Sequence, residues 1–475
     1  MSISAAFNNA LSGLTANSRL TDVISGNLAN ALTPGYAPRT LDLQAQDTGG
    51  GVKVAGTTRH TDPALVADRR LADSTLADAQ TRAGFAVSVE RALGLPGGGD
   101  SIADRLAAFE AAIVTASSRP ENDARLNTVL REATALATAM NTAAEQIETL
   151  RSRTDTGISG AVGQLNSGLA QVADINTRIV SARAAGHETA ALEDRRQQAI
   201  DAIAELVPVR QLERDRGAVA LVSTGGALLL DGRPAQIGFE ATPLVAAHMT
   251  VANGLVSGLG IDGRPVPTGV DGPLSGGRLG ALFENRDGLG LEAQRGLDSL
   301  ARDLTGRIDS LTEPPSPGIF TDAGARVDPD SATGLAGRLA INPAVNPANG
   351  GALFRLRTGP DAATPAAPAE APYLVALGQA LASSQGPGPG PGAAQGDLSG
   401  HAAQLSSRAA QARLAAENAA SFASGQAGEL REVELRGGVD SDAELQRLLV
   451  VEQAFSANAR MIQTLDDMMQ TLLRI

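Results

Sequence analysis

Apolar residues recur at alternating steps of four and three at both extreme ends of the chain, and these paired seams constrain the fold more than anything between them. Near the start, Ile3, Phe7, Ala10, Leu14, Asn17, Thr21, Ile24, Leu28 and Ala31 keep that spacing, which draws one apolar stripe along a helix built to pack on a partner. Near the end, Leu448, Val451, Phe455, Asn458, Ile462, Leu465, Met469 and Leu472 keep the same register. Ser441 and Glu444 ahead of that stripe are spaced as a capping box. One Asn sits inside each seam, Asn17 and Asn458. A polar residue there weakens the seam and fixes its register. Ile3, Phe7, Leu14, Ile24, Leu28, Leu448, Val451, Phe455, Ile462, Leu465, Met469 and Leu472 are therefore the expected assembly interface, and joined termini suggest a polymer subunit.

The plainer alternative is that both stripes belong to the core of one globular bundle. Gly13 and Gly26 lie inside the first helix, each costing about 1 kcal/mol relative to Ala. Such a helix is marginal alone, because nucleation is costly and stability comes from a packed face. The termini are expected to be largely disordered in the monomer and to fold on assembly.

A chain of 475 residues is long enough for two to four domains, and with 2% aromatic residues its core must be aliphatic. The formal charge of −13 and the lack of a basic run argue against nucleic acid or an anionic membrane as partner. With no cysteine, disulfides, thiolate metal sites and cysteine nucleophiles are excluded. The opening residues lack the basic and apolar regions of a cleavable signal peptide, and no segment is apolar for long enough to span a bilayer.

Inward from the first helix, Thr33-Pro34-Gly35 stops it, and a Gly-rich extended stretch runs to about Arg59. Helical periodicity returns in Ile102, Leu106, Phe109 and Ile113, breaks at Arg119-Pro120, and resumes from Leu126 to Ile147 and again from Ile158 to Ile179. Rod-like helices in an antiparallel bundle are expected, followed by a shorter helix ending at Pro208. Between Val207 and Pro273, short Val- and Leu-rich runs alternate with Asp231-Gly232, Asn253-Gly254, Asp262-Gly263 and Asp271-Gly272, turn dipeptides suited to hairpins. Helix resumes from Leu279, turns and possible strands follow Glu313, and the alternating Gly and Pro from Gly386 to Gly392 read as a linker without a core.

The expected fold is mainly α with a β-rich inserted domain. Residues 1–35 plus 440–475 form a discontinuous terminal coiled coil; 60–206 plus 275–312 plus 398–439 form a helical-bundle middle domain. Residues 207–274 form a small antiparallel β outer domain, and 313–397 a turn-rich and Pro/Gly-rich segment.

No motif carries convincing chemistry. Gly258-Leu-Gly-Ile-Asp-Gly263 fits a dinucleotide-binding pattern, but Arg264-Pro-Val-Pro267 after it cannot open the helix that would hold a pyrophosphate, so a β-turn is the better reading. His60, His187, His248 and His401 are too dispersed for a zinc helix. Mixed charge at Glu193, Asp194, Arg195 and Arg196 reads as a solvated helix face. No catalytic, metal or cofactor site is expected.

Two motifs carry a resemblance. Asn27, Asn30, Thr33, Pro34, Gly35 and Tyr36 in Asn27-Leu-Ala-Asn-Ala-Leu-Thr-Pro-Gly-Tyr36 resemble the N-terminal signature of bacterial flagellar rod, hook and hook-associated proteins, and Ala454 to Thr464 resembles their C-terminal counterpart. Ser118 to Arg125, Gln171 to Ile179, Leu192 to Arg196 and Gly280 to Asp287 are similar to the hook-associated protein 1 family. Ala37-Pro38-Arg39 departs from it, since the family commonly has one polar residue and then Arg after the Tyr. The resemblance implies a non-enzymatic subunit of the junction between hook and filament, exported through the flagellar type III apparatus. It would self-assemble into a ring or short helical zone between the hook protein and the next junction protein. A cytoplasmic export chaperone would cover Leu465, Met468, Met469 and Leu472 before export, and the mature protein would be extracellular, with no nucleic-acid or membrane partner. The rivals are another axial subunit, a hook or distal rod protein, and, from a different class, a nucleotide-binding enzyme using the Gly258 loop.

Overall fold

The computed structural model describes residues 3–33, 35–46, 50–95, 97–384 and 395–474. Pro34 of the N-terminal motif and the Gly386 to Gly392 run lie outside the described residues.

Helix α1 (Ile3–Ala29) leads into an antiparallel hairpin of β1 (Arg39–Ala45) and β2 (Val52–Arg59), so the extended stretch is a paired ribbon with a bulge at Asp42/Leu43. Helix α2 (Pro63–Leu93) starts on Asp62, whose carboxylate accepts the amides of Ala64 and Leu65, with Pro63 in the first turn. The sequence places residues 60–206 in the helical middle domain without marking an individual helix before Ile102. The first half of the helix buries Arg69, Arg70, Ala72, Asp73, Leu76 and Ala79, so charge and alanine occupy most of the positions where an apolar stripe would be sought, while the second half buries Phe85, Val89 and Leu93 in the main core.

Helix α3 (Ile102–Ser117) turns at Pro120 into α4 (Asp123–Ala184), a single helix of 62 residues. At 1.5 Å per residue it is roughly 90 Å long. The two runs read as separate rods are therefore one. Between Ile147 and Ile158 the buried positions are taken by Arg151, Thr154 and Asp155, which interrupts the apolar stripe without breaking the helix.

After α5 (Ala190–Leu206) come two small antiparallel sheets. The first is β3 (Val209–Glu213), β4 (Val219–Ser223), β5 (Leu228–Asp231) and β6 (Arg233–Pro234) in sequence order; the second is β7 (Ile237–Gly238), β8 (Leu259–Ile261) and β9 (Arg264–Val266). Asp231-Gly232 and Asp262-Gly263 close hairpins as expected, while Asn253-Gly254 and Asp271-Gly272 lie in loops. Leu221, Leu229, Leu230, Ile237 and Leu259 share a core with Ile158, Val162, Leu165 and Leu169 of α4 and Ile200 and Ile203 of α5. Both sheets thus lie on the C-terminal half of the long helix.

Helix α6 (Gly277–Glu284) passes through a π-turn at Asn285–Leu289 into α7 (Gly290–Asp309). The following segment holds β10 (Phe320–Asp322), α8 (Leu335–Arg338), β11 (Leu339–Ile341), α9 (Arg355–Thr358) and α10 (Pro372–Ala382). It is more ordered than its composition suggests: Phe320, Leu335, Leu339, Leu374 and Leu377 enter the main core with Phe109 of α3, Met140 of α4 and Leu304 of α7. Helix α11 (Leu398–Arg436) returns along α2 through Ala423 and Ala427 against Ala72, Leu76 and Ala79. Alanine on both surfaces permits close approach. Helix α12 (Ser441–Leu473) then packs against α1. The architecture is mainly helical with a β-containing insert, as the residues predict.

Candidate functional site

The ends of the chain meet in an antiparallel pair. Gly13 of α1 faces Asn458 of α12 so closely that an added Cβ would lie 2.8 Å from Nδ2, and farther along Asn27 Nδ2 donates to Glu444 Oε1 at 3.3 Å. The separation between these pairs is the same on both helices, which fixes one register. Ala10, Ala16 and Ile24 are buried on α1, and Val451 and Leu465 on α12. Ile3, Phe7, Leu14, Leu28, Leu448 and Ile462 are half-buried. Three seam residues are not covered: Phe455 is 46% exposed, Met469 42% and Leu472 59%. Phe455 sits on the flank of the contact, whereas Met469 and Leu472 extend past Ile3 in this register. Met468, Val450 and Met461 are also exposed.

The expected disorder of the termini is not what the single chain shows, since both ends are helical and paired. The pairing is thin. Asn17 Nδ2 is buried inside it with no partner.

The capping box at Ser441 and Glu444 is replaced by a different cap. Asp440 precedes the helix, its Oδ1 accepting the amides of Asp442 at 3.1 Å and Ala443 at 3.0 Å. Glu444 is freed to face Asn27 and to accept from Arg447 at 2.9 Å.

Asn27 is the centre of the N-terminal motif and is fully buried. Its Oδ1 accepts the Tyr36 hydroxyl at 2.8 Å and the Arg39 amide at 3.1 Å, and its Nδ2 donates to the Arg39 carbonyl at 2.9 Å as well as to Glu444. One amide side chain therefore joins the end of α1, the start of β1 and the start of α12. Asn30 donates to the Gly26 carbonyl at 2.9 Å and accepts from the Thr33 hydroxyl, closing the helix end. Gly35 has φ +78°, and a Cβ there would lie 3.0 Å from Gln198 Cγ on α5. The Arg39 guanidinium stacks 4.9 Å over the Tyr36 ring. Burial pushes the Tyr36 hydroxyl pKa above its ordinary value, against the opposing pull of Arg39.

Arg39 and Arg59 are paired across the base of the hairpin, and both bind Asp194 of α5, Arg59 Nε at 2.7 Å. Arg59 also donates to Gln197, whose amide reaches Glu434 of α11 at 3.5 Å. Glu434 lies 2.6 Å from Arg69 of α2, which also bridges Asp73 at 2.9 Å and Asp201 at 2.8 Å. Arg70 adds a contact to Asp201 at 2.6 Å, and Arg431 one to Asp73 at 2.7 Å. Burial raises the Glu434 carboxyl pKa although Arg69 opposes the shift. This chain of charges links α2, α5, α11 and the hairpin. The sequence reading assigned Asp194 to a solvated face and passed over Arg69, Arg70 and Asp73; adjacent arginines and an i,i+4 acid within an alanine-rich helix were the available signal.

The other motifs that resemble the hook-associated family are structural anchors. Asn122 caps α4, and Arg125 returns to the Thr115 carbonyl and Ser118 hydroxyl, each at 2.7 Å. Asn176 exchanges two hydrogen bonds with the Val219 backbone and accepts from Arg196. Arg286 and Asp155 form an ion pair at 2.5 Å with neither side chain exposed, and Phe239 and Phe283 flank the guanidinium at 5.7 and 5.1 Å. The Gly258 to Gly263 pattern is the β8–β9 hairpin, with φ of 50° at Asp262 and 76° at Gly263. Among the described residues no cluster of His, Asp or Glu could hold a metal ion, and no helix is long and apolar enough to cross a membrane.

Comparison with known proteins returns the same resemblance. Residues 88–313 match the family model for the flagellar hook-associated protein FlgK helical domain, 437–475 the flagellar basal body rod FlgEFG protein C-terminal model, and 7–36 the flagella basal body rod protein model. Flagellar hook-associated protein 1 of Salmonella typhimurium LT2 is 25% identical over 244 residues, covering 49% of this chain and 44% of that protein. Its counterpart in Escherichia coli K12 is 24% identical over 301 residues, covering 61% and 55%. The chain spans about half the length of these curated relatives. The solved flagellar hook junction protein FlgK from Burkholderia pseudomallei aligns with a TM-score of 0.46 and 19% identity, covering 54% of this chain and 47% of that one.

Proposed function

We propose that this protein is a structural, non-enzymatic subunit of the bacterial flagellum at the junction between hook and filament. The observation that carries the reading is the antiparallel terminal pair clamped at Asn27, at the two ends where the rod-protein models match. Its outer flanks leave Val450, Phe455, Met461 and Met468 open. A thin helix pair with apolar flanks gains stability when neighbouring copies cover them, at about 25 cal/mol per Å² of apolar surface buried. The inner wall of the assembly would be built from α1 and α12, the middle from α2 to α4, α7 and α11, and the β-containing insert would lie outermost. The hook protein and the next junction protein are the axial neighbours.

Before export, a cytoplasmic chaperone would cover Leu465, Met468, Met469 and Leu472. The protein would then leave through the flagellar type III apparatus with its N-terminus uncleaved and take its place outside the cell. Electron microscopy of a deletion strain tests the reading: hooks without filaments, with flagellin in the medium, are expected, and restored filaments on complementation. Normal filaments in the deletion strain would overturn it.

A further inference from the structure

The terminal pair and the helical body are joined in an unusual way. Among the described residues, every buried apolar cluster lies within residues 72–402 or the α2–α11 alanine contact, and none contains a residue of α1, the hairpin or α12. The chain crosses the boundary twice, at 60–62 between β2 and α2 and at 437–440 between α11 and α12, the second crossing opening on Gly437-Gly438. Among the described residues, the ion pairs and hydrogen bonds that bridge it gather at the base of the hairpin. Asp194 binds both Arg39 and Arg59 at the hairpin base, Gln197 accepts from Arg59, and Glu188 accepts from Thr57 at 2.7 Å. Gly35 lies against Gln198 at the same place.

The geometry points to an electrostatic latch: Asp194 holds the terminal helix pair at one angle to the helical body, and releasing it lets the pair swing as a unit about the 60–62 and 437–440 crossings. An apolar interface resists rotation because every angle but one exposes surface to water. A carboxylate shared by two guanidinium groups has no such penalty beyond its own bonds, and water can replace those once they open. The pair itself stays together in both positions, since Asn27 ties α1, β1 and α12 to one another and not to α5. A joint of this kind would let subunits adopt more than one angle between inner and middle layers.

The absence of cysteine makes the test direct. Spin labels on Ser456→Cys in α12 and Ser167→Cys in α4, both exposed positions, report the angle as a distance distribution by double electron–electron resonance on the full chain. The expected result is one narrow distribution in the parent and one at least twice as broad in Asp194→Asn, with helicity by circular dichroism unchanged. Asp174→Asn, an equal charge change on an exposed pair of α4, should leave the distribution narrow. If Asp194→Asn lost helicity throughout, Arg39→Gln, which leaves Arg59 on Asp194, would replace it and should broaden the distribution to a smaller degree. A narrow, parent-like distribution in a folded latch variant would overturn the proposal.

Discussion

Asn27 shows how a motif residue can be explained without chemistry at a reacting centre. Its two polar atoms serve four partner groups on three segments, which takes a carboxamide, an acceptor beside two donors, on the shorter of the two side chains that carry one. Asn27→Ala takes their shared partner from the Arg39 amide and the Tyr36 hydroxyl and leaves Glu444 with Arg447, and should destabilise the terminal unit by about 1–3 kcal/mol, the cost of buried groups left unpaired. Hydrogen exchange of α1 and β1 amides would show it as lost protection confined to the termini; unchanged protection would mean the clamp is idle. Gly35→Ala forces a positive φ on a β-carbon already in contact with Gln198 and should cost about 1–2 kcal/mol, read by the same exchange. Arg286→Met tests the body instead. It leaves Asp155 buried without its counter-ion, holding only the Thr242 amide, a loss of about 3–5 kcal/mol, so thermal melting should move far more than for any exposed arginine such as Arg178. At this scale the sequence was legible where a motif recurs and opaque where its reason is three-dimensional. Asn27 and Asn176 could be singled out from their surroundings, but the partners Glu444 and Val219 lie far along the chain. Asp194 was misread because a charged residue that bridges two distant arginines looks, in sequence, like one facing water.

Elements were legible when their buried face was aliphatic. Helices α1, α3, α5, α7 and α12 follow their apolar spacing, and the Asp231-Gly232 and Asp262-Gly263 turns close the hairpins they predict. Helix α2 was not named because alanine and paired charge fill the buried face of its first half, leaving only Phe85, Val89 and Leu93 as a short apolar run, and α4 was cut in two because Arg151 and Asp155 replace aliphatics at mid-length. In both, tertiary hydrogen bonds stand in for apolar contact, which periodicity does not register. The terminal helix α12 yields a sharper expectation. Leu465 is 9% exposed while Phe455 is 46% exposed, so the two seam residues should part company on charging. Leu465→Asp places a carboxylate inside the α1 contact and should open the pair in the monomer, visible as exchange in both helices. Phe455→Asp should leave the monomer intact and fail only on assembly, with hooks bare of filaments by electron microscopy. Gln463→Asp, on the solvent face, should be mild in both assays.

At the scale of the molecule, order is graded along the chain. The body holds two large aliphatic cores and a set of buried arginines that cap helix ends and loops, among them Arg307 on the carbonyls of Ala380, Leu381 and Gly396. The terminal pair has few buried residues, an unpartnered Asn17 amide, and Gly13 and Gly26 inside α1. Local opening free energy follows such differences. In the isolated chain, amides of α1 and α12 are therefore expected to exchange orders of magnitude faster than those of α4 beside Ile147 and Ile158, and protease should trim the ends before it cuts the body. The sequence expectation of termini disordered in the monomer gives way to a different one, of termini already paired and expected to open readily. Polymerised protein should show the termini protected to the level of the body, because neighbouring copies would cover Val450, Met461 and Met468. Equal protection of termini and body in the monomer would place the stability of the pair within the single chain, and the apolar flanks would then need another explanation.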